Sequence, residues 1–204
     1  MANSKLKPAP AGVRGEPLRQ RVIDAAERLL RDGKADFSMR DLATEAGVSF
    51  ATPFNQFGSK AAIMQTLSAR RIDMMESRFV AAPPLTDATE RVMLAIDTAA
   101  AVMLEEPEVN RAVMGWLGAA TSSPGQVWAH STALWTLALG AGEGLLAARR
   151  DQALQCLPGQ LAFAFRGVLS FWTAGELPDE ALAPKARELA STLLLGFTEG
   201  KVIR

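Results

Sequence analysis

The sequence predicts an all-α protein, and three observations carry that expectation. Ala and Leu, both strong helix formers, are abundant. Apolar residues recur at three- and four-residue spacing, while Tyr is absent and long alternating β-branched runs are missing. Prolines and glycines then cut the chain into helix-length pieces, about nine in all. With 204 residues, 49% of them apolar, the chain suits a small head followed by a larger domain with a core of its own.

Residues 1–16 show no periodicity and contain Pro8, Pro10, Gly12 and Gly15, so they are expected to form a disordered, weakly basic arm with Lys5, Lys7 and Arg14. The first helix is expected from Pro17, suited to a first turn, to Arg31. Val22, Ile23, Ala26, Leu29 and Leu30 form its apolar face, and Gly33 stops it. Ser38, with Asp41 three residues on, fits a capping box for a second helix whose Leu42 and Ala43 face inward. Gly47 supplies the left-handed residue that breaks it. Ser49 is then positioned to cap a short third helix over Phe50 to Gln56, ended by Phe57-Gly58. Ser59 caps a fourth through Phe79, with Ile63, Met64, Leu67 and Ile72 inside.

Pro83-Pro84 is the clearest punctuation in the chain and the expected domain boundary. The organisation read from the sequence is therefore an arm (1–16), a head (17–60), a connecting helix (61–82) and a second domain (83–204). Helices are expected in that domain near 86–105, 108–120, 126–150, 159–175 and 179–200. The long 126–150 helix would carry Gly140, Gly142 and Gly144, each costing about 1 kcal/mol relative to Ala and leaving room for a close crossing or a ligand.

Net charge is zero, but residues 1–80 hold 13 Lys and Arg against 9 Asp and Glu, so the first half is basic by four charges. That asymmetry fits an anionic partner. His130 and Cys156 are the only residues of their kinds, and no spaced carboxylate cluster accompanies them. The sequence thus offers no metal site and no nucleophile–base pair, and neither an enzyme nor a cofactor is expected. A lone cysteine is consistent with a reducing cytoplasm. Met1 to Pro17 is polar and rich in Pro and Gly with no apolar segment, so no signal peptide is expected there. The stretch Ala133 to Ala148, interrupted by Glu143, is short for a bilayer, so no membrane partner is expected.

Two short helices joined at Gly47 have the geometry of a helix-turn-helix, in which the second enters a major groove about 12 Å wide and the first braces it. The resemblance is more specific than that. RVIDAAERLL at 21–30, Gly33, and FSMRDLATEAGVSFATPFNQFGSK at 37–60 resemble the N-terminal signature of the TetR repressor family over about 40 residues. FRGVLSFWTAG at 165–175 and LLLGF at 193–197 are similar to that family's last two helices.

The resemblance implies a ligand-responsive, DNA-binding homodimer, a repressor released from a palindromic operator by a small, largely apolar effector. The alternative is a DNA-binding dimer without an effector, whose second domain only dimerises or recruits a protein. By position, the DNA contacts implied are Arg40, Ser49, Phe50, Ala51, Thr52, Phe54, Asn55, Gln56 and Lys60. Arg40 would reach a guanine edge or a phosphate, Phe50 and Ala51 would read bases, and Thr52 and Lys60 would meet phosphates. The sequence departs from the family at three places. Phe54 stands where Tyr is usual and loses a phenolic hydroxyl. Gln56 stands where His is frequent and still donates a hydrogen bond. Pro53 lies within the recognition helix. If Ser49 is the cap, Pro53 removes the first helical hydrogen bond, and the helix starts late or is distorted.

Leu169, Trp172, Leu189, Leu193, Leu194 and Phe197 line the last two helices, and the resemblance implies a two-fold four-helix interface there. Such a dimer sets its recognition helices about 34–36 Å apart, one turn of DNA. Met103, Met114, Trp116, Trp128, Trp135 and Glu143 are the candidates for an effector pocket, with packed core as the alternative for each.

Overall fold

The computed structural model describes residues 11–117 and 126–199. Among them are nine α-helices and no strand, the all-α class expected. They are α1 (Ala11–Arg31), α2 (Met39–Ala46), α3 (Ala51–Phe57), α4 (Lys60–Ala81), α5 (Ala88–Glu105), α6 (Pro107–Trp116), α7 (Gln126–Leu139), α8 (Arg150–Thr173) and α9 (Leu182–Leu194). The chain divides into two compact units, Met1–Ile63 and Met64–Arg204.

In the first unit α1, α2 and α3 pack on one another. The apolar face of α1 (Val22, Ile23, Ala26, Leu29 and Leu30) is buried with Phe37, Leu42, Ala43, Ala46 and Ile63. Each large side chain fully buried there contributes about 1.5–3 kcal/mol. The ends of α2 follow from local chemistry. The Asp41 N–H donates to Ser38 Oγ at 3.2 Å, and the Ser38 N–H donates back to Asp41 Oδ2 at 2.8 Å. Gly47 closes the helix at φ 62°, ψ 42°, its N–H turned to the Ala43 and Thr44 carbonyls.

In the second unit α5, α7, α8 and α9 enclose an apolar core that includes Ile96, Leu139, Leu157, Leu161 and Trp172, and α6 packs against α8. A buried polar junction ties α4 to the α5–α6 corner. Arg71 Nε donates to Asn110 Oδ1 at 2.8 Å, and Asn110 Nδ2 donates to the Val102 and Met103 carbonyls at 3.1 and 2.9 Å. Those carbonyls belong to the last turns of α5, whose helical partners run out at Glu105.

The structure differs from the sequence reading in four places. Helix α1 opens at Ala11, so residues 11–16 are helical and Pro17 lies inside the helix; residues 1–10 of the expected arm lie outside the described residues. Pro17 forfeits one hydrogen bond, to the Val13 carbonyl, close to the free end of the helix. The boundary between units falls within α4, after Ile63, and Pro83-Pro84 follows the end of that helix. The proline pair bars a further helical turn, but Met75 on α4 already belongs to the second core.

The expected 126–150 helix stops at Leu139, because Gly140, Gly142 and Gly144 all take positive φ and build a turn. At Gly144 a side chain has no space: an added Cβ would lie 2.0 Å from Asp87 Oδ2. Finally, α8 starts at Arg150 and runs straight through Pro158, where a break was expected. Ala153, Leu157, Leu161, Phe165, Leu169 and Trp172 make one continuous buried seam. Its burial outweighs the roughly 3 kcal/mol that an internal proline costs.

Candidate nucleic-acid interface

Helix α3 presents its side chains to solvent from a short rod held at both ends. Phe50 occupies the N-cap in helical geometry without a side-chain cap, so the helix begins one residue later than expected. That shift accommodates Pro53. The proline falls at the third helical position, where a backbone N–H has no intrahelical partner to lose. Its ring is buried while the helix remains regular. Ser49, expected as the cap, instead pairs its hydroxyl with that of Thr52 at 2.8 Å, and its carbonyl accepts from the Thr52 N–H at 2.9 Å. At the far end the Gln56 carbonyl accepts from Arg19 Nη1 at 2.8 Å, and the Arg19 guanidinium lies 4.2 Å from the centre of the Phe57 ring.

The exposed face consists of Phe50, Ala51, Phe54 and Asn55, with Thr52 and Gln56 half-buried at its edges. Phe50 and Phe54 are 53% and 43% exposed and meet edge to face, with ring centres 5.6 Å apart. Arg40, exposed on α2, stands 5.4 Å from the centre of the Phe50 ring. The structure therefore brings Arg40, Ser49, Phe50, Ala51, Phe54 and Asn55 onto one accessible surface. Two large apolar side chains about half exposed to water, beside a guanidinium, form an apolar patch that the head leaves open.

Lys60 is placed differently. Its Nζ donates to the Ala35 and Phe37 carbonyls at 2.7 and 2.9 Å and lies 4.2 Å from the centre of the Phe37 ring. Burial holds its pKa below the ordinary lysine value, and Asp36 partly offsets this. The ammonium thus spans the loop between α1 and α2 instead of standing ready for a phosphate. Sequence position identified the residue but not the carbonyls that its side chain reaches.

The expected effector residues do not all converge. Met114 and Trp135 line a cavity of about 70 Å³ in the second unit, with Ile72, Met75, Phe165 and Arg166 among the other walls. Met103 is buried in the general core. Trp116 is exposed. Trp128 is also exposed and stacks on Phe163 at 4.7 Å, over Gly159. Glu143 lies in the glycine turn, where it accepts from Arg91 Nη2 at 2.6 Å and bears no relation to the cavity. Among the cavity residues that the sequence reading missed are two arginines, Arg71 and Arg166.

The expected dimer face needs a similar correction. Leu169, Trp172 and Leu194 are buried within the chain's own core, and Trp172 Nε1 donates to Asp179 Oδ1 at 2.8 Å. Leu193 and Phe197 pack partly against that core. Only Leu189, 43% exposed, faces outward. The outward apolar side of α8 is instead formed by Phe163 and Phe171, 68% and 60% exposed, and with Leu189 they flank a shallow groove floored by Gly167. Among the described residues, no helix is long and apolar enough to cross a membrane, and no three His, Cys, Asp or Glu are grouped to hold a metal ion.

Residues 22–67 match the family model of bacterial regulatory proteins of the tetR family. Among solved structures, the chain is similar to a TetR transcriptional regulator from Rhodococcus sp. RHA1, with a TM-score of 0.71 and 22% identity over 88% of this chain and 97% of that one. That likeness is one of fold. A TetR-like transcriptional regulator from the same organism gives a TM-score of 0.49 and 20% identity over 93% of this chain and 100% of that one. No curated protein matches. The matched segment contains the whole α2–turn–α3 unit with its exposed face, so the likeness to the tetR family rests on the head, while the rest of the chain shares the fold.

Proposed function

We propose that the protein is a homodimeric repressor in the cytoplasm that leaves a palindromic operator when a small, largely apolar molecule occupies its second unit. The observation that carries the DNA part is the exposed face of α3, with Phe50, Ala51, Phe54 and Asn55 presented beside Arg40. Phe50 and Phe54 suit apolar contact with thymine methyl groups, Asn55 suits a base edge, and Arg40 suits a guanine or a phosphate. The Thr52 and Gln56 side chains at the edges of that face are assigned to the backbone. The groove flanked by Phe163, Phe171 and Leu189 is the face assigned to dimerisation, in place of Leu169, Trp172 and Leu194. The cavity walled by Met114 and Trp135 is assigned to the effector.

The test is a gel shift of the purified protein on the DNA upstream of its own gene across a series of salt concentrations. Affinity is expected to fall steeply with salt as phosphate contacts are screened. Ala at Phe54 or Arg40 is expected to change the preference among operator variants. A double Arg40/Phe54 variant that binds as tightly and as selectively as the parent would overturn this interface. The small volume of the cavity favours a second reading, in which the protein has no effector. Release of DNA by a compound that also raises the melting temperature distinguishes the two.

A further inference from the structure

Two hollows meet at Arg166 on α8. The first is the cavity of about 70 Å³ bordered by Met114, Trp135 and Phe165. The second, about 180 Å³, is lined by Met114, Gly115, Arg166, Ser170 and Thr173. Neither has an acidic side chain in its wall. The other arginine of the first hollow, Arg71, is engaged by Asn110 and Glu106. Arg166 is not so engaged. Its contact among the described residues is Nη1 at 3.8 Å from Met114 Sδ, a weak acceptor. Every Asp and Glu of the chain lies among the described residues, and none of them pairs with Arg166.

A guanidinium stays protonated inside a protein, so this half-buried charge is not relieved by losing its proton. Burial alone accounts for the downward displacement of its pKa, with no counter-charge opposing it. An uncompensated cation in such a place is costly, and an incoming anion removes that cost. Thr173 Oγ1, in the second hollow, is buried with no hydrogen-bond partner among the described residues and provides a further donor.

We infer that the effector is an organic carboxylate on a short aromatic or alkyl body. Its carboxylate is taken by the Arg166 guanidinium in the second hollow, and its apolar part lies in the first against Trp135 and Phe165. This rests on the reading that the cavity is the effector site. A bidentate guanidinium–carboxylate pair supplies both orientation and affinity. Trp135 and Phe165, already edge to face at 5.5 Å, offer an aromatic wall. Both hollows fall below the 300–1,000 Å³ usual for drug-sized ligands, which restricts the body to a single ring or a short chain.

The full-length protein is titrated calorimetrically with three probes of one shape: 3-phenylpropanoate, 3-phenylpropan-1-ol and 3-phenylpropylammonium. The carboxylate is expected to bind about tenfold or more tightly than the alcohol, and the ammonium weakest. Arg166→Gln is expected to reduce the carboxylate to the level of the alcohol, while Arg166→Lys retains part of the preference. Helical circular dichroism checks that the variants fold, and the ranking of the three probes on the parent protein stands without them. Equal or tighter binding of the alcohol or the ammonium overturns the carboxylate assignment and leaves the effector site intact. No binding by any of the three overturns both.

Discussion

Lys60 ties down the loop between α1 and α2 through two carbonyls and the face of Phe37. Lys60→Ala is therefore expected to destabilise the head by about 1–3 kcal/mol, the cost of leaving carbonyls unpaired, and urea titration checks this. Loss of DNA binding in that variant would accompany the loss of stability. Asp41 provides a pH-dependent counterpart. The Ser38 backbone N–H, and then its hydroxyl, hold the Asp41 carboxyl below its ordinary value of 3.8. A depressed carboxyl stabilises the fold above the unfolded pKa and loses that contribution as pH falls through the folded one. Asp41→Asn is thus expected to melt lower than the parent at pH 7, with the gap closing in a melting series as the pH falls below the ordinary carboxyl value of 3.8. At Gly144 the test is steric. An added methyl group collides with Asp87 Oδ2, and Asp87 caps α5 through the Thr89 and Glu90 N–H groups. Gly144→Ala is expected to cost about 1–3 kcal/mol by thermal melting, because the cap must move and the positive φ disfavours any side chain.

At the scale of elements, α3 owes its regularity to where it begins. Pro53 stands at a position that needs no N–H, so Pro53→Ala is expected to leave operator affinity within about threefold in a gel shift. Local signals such as Ser38, Asp41 and Gly47 were legible in the sequence because the groups that satisfy them lie within a few residues. Signals that depend on distant packing were not. Pro158 reads as a stop until the seam from Ala153 to Trp172 is known to be buried along its whole length. Helix α8 is apolar on two sides, with Phe165 and Trp172 inward and Phe163 and Phe171 outward. Periodicity locates both faces but cannot say which one the chain covers itself. Arg166 was passed over for a related reason: an arginine in an apolar helix stands out only when its surroundings hold no carboxylate for it.

For the whole molecule, the two sides of α8 predict opposite failures. With the α8 groove as the proposed dimer face, Phe171→Glu is expected to leave the subunit folded while shifting the proposed dimer to monomer in sedimentation, and to weaken operator binding with it. Trp172→Ala, one position away, is expected to cost about 3–5 kcal/mol and to lower the melting temperature sharply, because it empties a site within the core. The junction at Asn110 has a consequence of a different kind. Its amide is used at both ends, accepting from Arg71 of α4 and donating to two carbonyls of α5. It acts as a rivet between α5 and α6, and creep of α4 along that corner would break the contacts of Arg71 with Asn110 and Glu106 together. Gradual slippage of α4 is thereby opposed, and the corner is expected to travel with it. Since Arg71 also forms part of the cavity wall, a guest arriving there touches the rivet directly.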